Sequence, residues 1–453
     1  MGIGSSGVVN CANTYLGTAN YTVADGYVAD RTVIVDGNGP AQLNLNFTRN
    51  EVLDPRITFS RTSNATRVNA QGLIETVAVN QPRFDYDPVT LAPKGLLIEE
   101  QRVNSIRNNT MQGAVVGTPG TIPTYWIPQS IGGVALTAVV GVGTESGITY
   151  VDVRYAGTTS STTAGAILFE STTQISAASG QTWTGSFYVK LVAGSLDGIS
   201  TVDNVIQERS STGALLASTN TQITPTNSSL SSQRVPTTRT LNNALTAFVG
   251  SGVRFTPISG VAIDFTLRIG LPQLEQGAFP TSVIPTTTTQ VTRTADNASM
   301  VGTNFSSWYN QSEGTVVAEF DSLSTLTAAQ SVAINRYPTP WHIEAGTSDT
   351  NLLWYGANAE LYIGGSYNNI GNVPTASFNK FAAAISSIVG NSASSLNAGN
   401  AITRNGIATG TATSLGLGSN PLNSASTCLN GHLKSFKYFN KRLLNSYLQS
   451  LTQ

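Results

Sequence analysis

Side chains whose polarity alternates with a period of two cannot lie on a helix without burying polar groups, and this chain alternates over most of its length. The run TWTGSFYVKLV from Thr182 places Phe187 and Val189 on one face and Tyr188 and Lys190 on the other. GITYVDVRYAG from Gly147 and AIDFTLRIGLPQLEQG from Ala262 repeat the pattern, and EGTVVAEFD from Glu313 sets Val316, Ala318 and Phe320 against Val317 and Glu319. Clusters of Gly, Asn, Ser and Pro separate these runs at short intervals, as in antiparallel strands joined by turns. The expected fold class is all-β: an N-terminal extended arm and a charged junction, followed by two antiparallel β-sandwich (jelly-roll) domains.

At 453 residues the chain can build about two to four domains. Residues 1–50 hold strand-like stretches such as RTVIVDG and AQLNLNF, with too little aliphatic mass for a core of their own, and read as an anchoring arm. Charge sets 51–110 apart: 14 acidic and basic residues fall between 51 and 107, against 11 between 111 and 250. A strand-rich block spans 111–285, a Thr-rich linker 286–300, and a second strand block 301–453. The last of these closes with a strand and a short helix, on which Leu444, Tyr447, Leu448 and Leu451 share a face and Asn445 is placed as the cap.

Composition excludes several functions. Only 11% of residues are charged and the net charge is −1, so there is no basic footprint for nucleic acid or an acidic membrane. Cys11 and Cys428 are too few for a disulfide framework or a metal knuckle. GIGSSG, from Gly2 to Gly7, matches a dinucleotide fingerprint by letter but follows no strand. With His342 and His432 as the two histidines, neither a histidine-based triad nor a histidine-rich metal site is expected, and His432 beside Gly431 reads as a surface turn residue. MGIGSSGVVN lacks the basic and apolar regions of a signal peptide, and no apolar run approaches the roughly 20 residues of a membrane span. The expectation is a protein made in a cytoplasm.

The stretch from Ile57 to Ile106 carries Phe59, Arg61, Ala65, Thr66, Gly72, Ile74, the run Pro82-Arg83-Phe84-Asp85-Tyr86-Asp87-Pro88, then Gly95-Leu96-Leu97-Ile98-Glu99, Arg102 and Asn104. It resembles a segment of tailed-bacteriophage head spike fibre and tail fibre proteins. LPQLEQGAFPTSVIPT, from Leu271 to Thr286, is similar to the closing strand of the carbohydrate-binding-module-like jelly rolls in such proteins. SLGLGSN with GHLKSFKYFNKRLLNSYLQSLT resembles the end of a concanavalin-like, laminin-G-like sandwich. The resemblance implies a carbohydrate-binding-module-like domain over 111–285 and a concanavalin-like domain over 301–453.

Two groups of residues are candidates for a role. Arg83, Asp85, Asp87, Glu99 and Arg102 gather charge around a Pro-bounded turn, where ion pairs and Asp-to-backbone bonds make a structural clasp. A calcium site is the alternative there; otherwise no cofactor, metal ligand or catalytic residue is assigned. Trp341, Glu344, Trp354, Tyr355, Tyr362 and Tyr367, with Asn351, Asn358, Glu360 and Asn368 as polar partners, supply the flat faces and amide or carboxylate groups that a glycan site requires. The alternative is that half of these rings fill the core.

The expected function is that of a non-enzymatic phage virion protein: a tail- or head-attached fibre subunit that adheres to host surface polysaccharide. Residues 1–50 would contact other virion proteins, and a homo-oligomer, a trimer by preference, would raise avidity. The alternatives are a capsid decoration protein clamping the head and a polysaccharide depolymerase using carboxylates such as Glu344 and Glu360.

Overall fold

The computed structural model describes residues 16–22, 28–34, 39–323, 337–355, 358–374, 377–407, 411–420 and 427–453. GIGSSG and Cys11 lie outside the described residues. Strands dominate and pair antiparallel, as the period-two pattern predicts. Among the described residues no helix is long and apolar enough to cross a membrane.

The first sandwich packs two five-stranded sheets. One orders Ile127–Pro128, Gly165–Leu168, Phe248–Pro257, Ile199–Arg209 and Leu215–Ile223; the other orders Ala138–Glu145, Ile148–Thr158, Ala262–Gln276, Thr182–Ser195 and Arg234–Thr240. Alternation delivers Phe187 and Val189 to the core between the sheets, beside Tyr155, Phe169, Val253, Phe255, Phe265 and Leu267. The opposite face of the second sheet carries the sandwich's scarce charge as a ladder. Arg268 bonds Asp152 at 2.9 Å and Glu145 at 2.6 Å, Lys190 bonds Glu145 at 3.2 Å, and the guanidinium of Arg268 lies over the Tyr150 ring. Tyr188, on this polar face by alternation, is buried with Ile148, Leu230, Leu271 and Val283. Ile74 packs against that cluster, and its N–H donates to Ser146 O at 3.0 Å.

The second sandwich draws on both ends of the chain. Its seven-stranded sheet orders Ser366–Asn372, Asn358–Ile363, Thr350–Tyr355, Trp341–Glu344, Ser414–Leu417, Asn297–Val301 and Thr58–Ser60. Its eight-stranded sheet orders Ile402–Arg404, Ser392–Leu396, Asn379–Ser386, Glu313–Phe320, Gly431–Phe439, Pro93–Ile98 and Phe84–Tyr86, with Leu43–Asn46 also paired to Gly431–Phe439. Leu43, Leu45, Phe84, Leu96 and Ile98 therefore share one core with Val316, Phe320, Trp341, Leu415 and Phe436. Gly95 makes the close pairing possible: its φ is +99°, and a Cβ there would stand 2.4 Å from the carbonyl oxygen of Leu433.

This arrangement differs from a serial reading of the sequence. The charged segment 51–110 and the end of the arm supply strands to both sheets, which strands of 301–453 complete. The first sandwich is thus an insertion in the second. Its entry strand, Arg102–Asn104, pairs with its exit strand, Val291–Arg293, so that Arg102 faces Arg293 and Asn104 faces Val291. Within the expected linker, Thr286 is buried and tied down: its N–H donates to Asn109 Oδ1 at 2.6 Å and its hydroxyl to Ile106 O at 2.7 Å.

Of the arm, Leu16–Thr22, Val28–Ile34 and Gly39–Pro40 form a three-stranded sheet. At the other end, the helix Asn445–Leu451 covers the eight-stranded sheet, burying Leu448 against Val317, Ala382, Ala384 and Phe439, with Tyr447 and Leu451 at the margin. Two expectations are corrected here. Leu444 is 62% exposed and is itself the N-cap residue in extended conformation. Asn445 lies inside the helix, and its Oδ1 accepts from Arg442 Nη2 at 2.5 Å instead of capping the backbone.

Candidate functional site

The seven-stranded sheet has one face on the core and one turned away from it. Register sorts the aromatic candidates between the two. Trp341, paired with Leu352 and Leu417, is fully buried in the core. Trp354 pairs with Ala359 and Tyr355 with Asn358 along the backbone. Tyr362 pairs with Tyr367 on one side and Asn351 on the other; Asn351 pairs with His342, and His342 with Gly416. Alternation thus lines up Tyr367, Tyr362, Asn351 and His342 in one row on the face away from the core.

The outer end of this row is open. Tyr367 is 65% exposed, and its ring centroid lies 4.7 Å from that of half-buried Tyr362 at an interplanar angle of 54°. Burial first, then the neighbouring Tyr362, Glu360 and Tyr337, hold the Tyr367 phenol above its ordinary pKa. Asn358 is exposed, whereas Asn368 is buried and spends its amide on Leu361 O, Ser366 O and Asn405 O. The inner end is enclosed and polar. His342 Nε2 lies 3.3 Å from Glu344 Oε2, 3.2 Å from Asp349 Oδ2 and 3.3 Å from Asn420 Nδ2. Asp349 was not among the sequence candidates, because its approach to His342 depends on a hairpin that composition does not mark.

The charged stretch forms a buried network. Arg83 Nη1 donates to Glu99 Oε2 at 2.7 Å and its Nη2 pairs with Asp296 Oδ2; Arg293 Nη1 donates to Glu99 Oε2 at 2.6 Å. Arg61 bonds the other oxygen of Asp296 at 3.0 Å. Ser282, from the first sandwich, donates both its N–H and its hydroxyl to Glu99, at 2.7 and 2.6 Å. Burial raises the pKa of a carboxylate, yet Arg293, Arg83 and Ser282 together hold Glu99 well below the usual range. Arg102 pairs with Glu100 and reaches Gln276 O. Asp87 stands apart from this network in an exposed turn, accepting from the N–H groups of Val89 and Thr90 at 3.0 and 2.8 Å. Arg293, Asp296 and Ser282 carry no local signature that ties them to Arg83 and Glu99, from which they lie more than a hundred residues away in the sequence.

Asp85 belongs to a second buried group that overturns the surface reading of His432. That imidazole is 1% exposed, with Nδ1 2.9 Å from Asp321 Oδ1 and Nε2 3.0 Å from Asp85 Oδ2. Burial alone would lower its pKa; the charge of Asp321 and hydrogen bonds to Asp321 and Asp85 raise it above the ordinary value. The residue is enclosed because its strand, Gly431–Phe439, lies inside the eight-stranded sheet.

A cleft of about 1020 Å³ also lies where the entry and exit strands meet the first sandwich, lined by Arg102, Arg107, Gln181, Trp183, Gln276 and Gln290. Sequence reasoning missed it because its walls come from four separated segments.

No family model matches the chain, and no curated protein matches it. Several solved structures are similar to it. A carbohydrate-binding module of the Ruminococcus gnavus IT-sialidase, bound to α2,3-sialyllactose, is 14% identical, with a TM-score of 0.25, covering 32% of this chain and 84% of that one. The tripod from the baseplate of bacteriophage Tuc2009 is 10% identical, with a TM-score of 0.27, covering 78% of this chain and 99% of that one. Trypanosoma rangeli sialidase is 10% identical, with a TM-score of 0.27, covering 96% of each. The presence of sialidases aligned over nearly the whole chain corrects the expectation of a non-enzymatic protein, which is withdrawn. At these TM-scores the likeness transfers no residue role and no substrate.

Proposed function

We propose that this chain is a surface component of a tailed-phage virion that adheres to host surface glycans through the outer row of the seven-stranded sheet. The observation that carries the reading is the Tyr362 and Tyr367 pair, open to solvent at one end of a row that continues into Asn351 and His342. Flat aromatic faces stack on the apolar face of a sugar ring, and neighbouring amide and carboxylate groups bond its hydroxyls. The resemblance of Arg83 to Asn104 to phage fibre segments supports the virion setting, and a concanavalin-like second sandwich fits the same role. Each site would bind weakly, and a trimer would supply avidity. Residues 1–50 would contact the particle.

Calorimetric titration of the full chain with host capsular polysaccharide tests the reading. Tyr367→Ala should weaken binding about tenfold, the equivalent of losing one aromatic contact of about 1.4 kcal/mol. Unchanged affinity in both Tyr367→Ala and Tyr362→Ala would remove the basis for the proposal. Reducing-end release in the same mixtures separates adhesion alone from adhesion with cleavage.

A further inference from the structure

We propose that His342, Glu344 and Asp349 form a site for a divalent transition-metal ion of the zinc class. The chain builds it from local rules. His342 and Glu344 are two apart on the strand Trp341–Glu344 and so share the face away from the core. The hairpin then turns through Gly346, whose φ of +69° suits glycine, and returns Asp349 to the same face. The His342, Glu344 and Asp349 ligand atoms all lie within 4.8 Å of one another.

Three features distinguish this cluster from an ordinary ion pair. First, both carboxylates converge on a single nitrogen, His342 Nε2, at 3.3 and 3.2 Å. One N–H donates along one line, whereas a cation between the groups satisfies all its ligands at once. His432 provides the contrast within the same protein: its two carboxylates sit on opposite ring nitrogens, one for each N–H of an imidazolium. Second, the remaining carboxylate oxygens are already fixed. Glu344 Oε1 accepts from Gly346 N at 3.2 Å and Asp349 Oδ1 from Ala345 N at 2.7 Å, which leaves Oε2 and Oδ2 aimed at His342. Ligands at about 2.0 Å from a tetrahedral zinc ion stand roughly 3.3 Å apart, close to the two spacings from His342 to the carboxylates, while the three ligand atoms together lie within 4.8 Å.

Third, Asn351 lies directly across from His342 in the register, is 6% exposed, and its Oδ1 has no hydrogen-bond partner among the described residues. A buried acceptor without a donor, on the face of the sheet that carries the three ligands, suits a metal-bound water or a fourth ligand. The donor set of one imidazole and two carboxylates suits zinc, manganese or ferrous iron; calcium and magnesium take oxygen ligands alone. This inference does not rest on glycan binding, although His342 and Asn351 belong to the same row.

The test is calorimetric titration of the full chain, stripped with chelator, with zinc chloride, alongside cobalt chloride followed by visible absorption and calcium chloride as a control. The expected result is one zinc per chain, a tetrahedral cobalt spectrum, and affinity at least about tenfold weaker in His342→Gln and in Asp349→Asn. Asp349→Asn keeps an oxygen for the Ala345 N–H, so circular dichroism should show an intact fold should His342→Gln prove unstable. Zinc bound equally by the parent and Asp349→Asn, no zinc bound at all, or calcium bound more tightly than zinc would each overturn the proposal.

Discussion

Glu99→Gln removes one charge and almost no volume from the point where the two sandwiches are bonded together. Glu99 faces two fully buried guanidinium groups, Arg83 and Arg293, and accepts two further bonds from Ser282 of the inserted sandwich. A pair of unit charges about 4 Å apart interacts with about 4 kcal/mol at an effective dielectric of 20, so two pairs contribute about 8 kcal/mol before desolvation is subtracted. Removing Glu99's charge also leaves Arg293 without its carboxylate partner, and losses for such buried pairs are about 3–5 kcal/mol. Urea unfolding of the full chain should show that loss in the transition of the second sandwich, with Asp296→Asn behaving alike. Depression of the Glu99 pKa fixes the pH dependence. A carboxylate held low contributes its stability above the unfolded value of about 4.3 and loses it as pH falls through the folded one. The parent's stability should therefore decline on acidification more steeply than that of Glu99→Gln. A difference under about 1 kcal/mol near neutral pH, or parallel acid profiles, would refute the argument that this network holds the junction.

His432 gives the opposite sign. Its raised pKa contributes stability that is fully present below the unfolded value of about 6.5 and lost as pH rises through the folded value. Melting temperature of the parent should fall across that interval, and the slope should flatten in His432→Gln. Leu448→Ala empties the contact between the C-terminal helix and the eight-stranded sheet, where Leu448 meets Val317, Ala382 and Phe439. Denaturant unfolding should show a loss of about 2–5 kcal/mol, and truncation before residue 445 should cost at least as much.

Much of the first sandwich is legible in the sequence. Phe187 and Val189 point inward because period two leaves them no alternative, and the same rule places Val316, Ala318 and Phe320 in the second core. Tyr188 shows where that rule stops: alternation puts it on the polar face, and the folded-back segment near Ile74 buries it. The aromatic candidates divide for a similar reason. Trp341 and Tyr362 are equally aromatic in the sequence, and only register assigns the first to the core and the second to the open row.

The sequence by itself determined strand, turn and face, because these follow from the geometry of residues a few positions apart. It also marked Arg83 and Glu99 as unusual, since charge is rare in this chain. What it could not contain was which strands would pair. Hydrogen bonds between strands are made by backbone groups that are the same at every residue, so the union of Pro93–Ile98 with Gly431–Phe439 leaves no local trace. Tertiary structure alone decided that the charged segment completes the second sandwich and that Asp296 and Arg293 join Arg83 and Glu99.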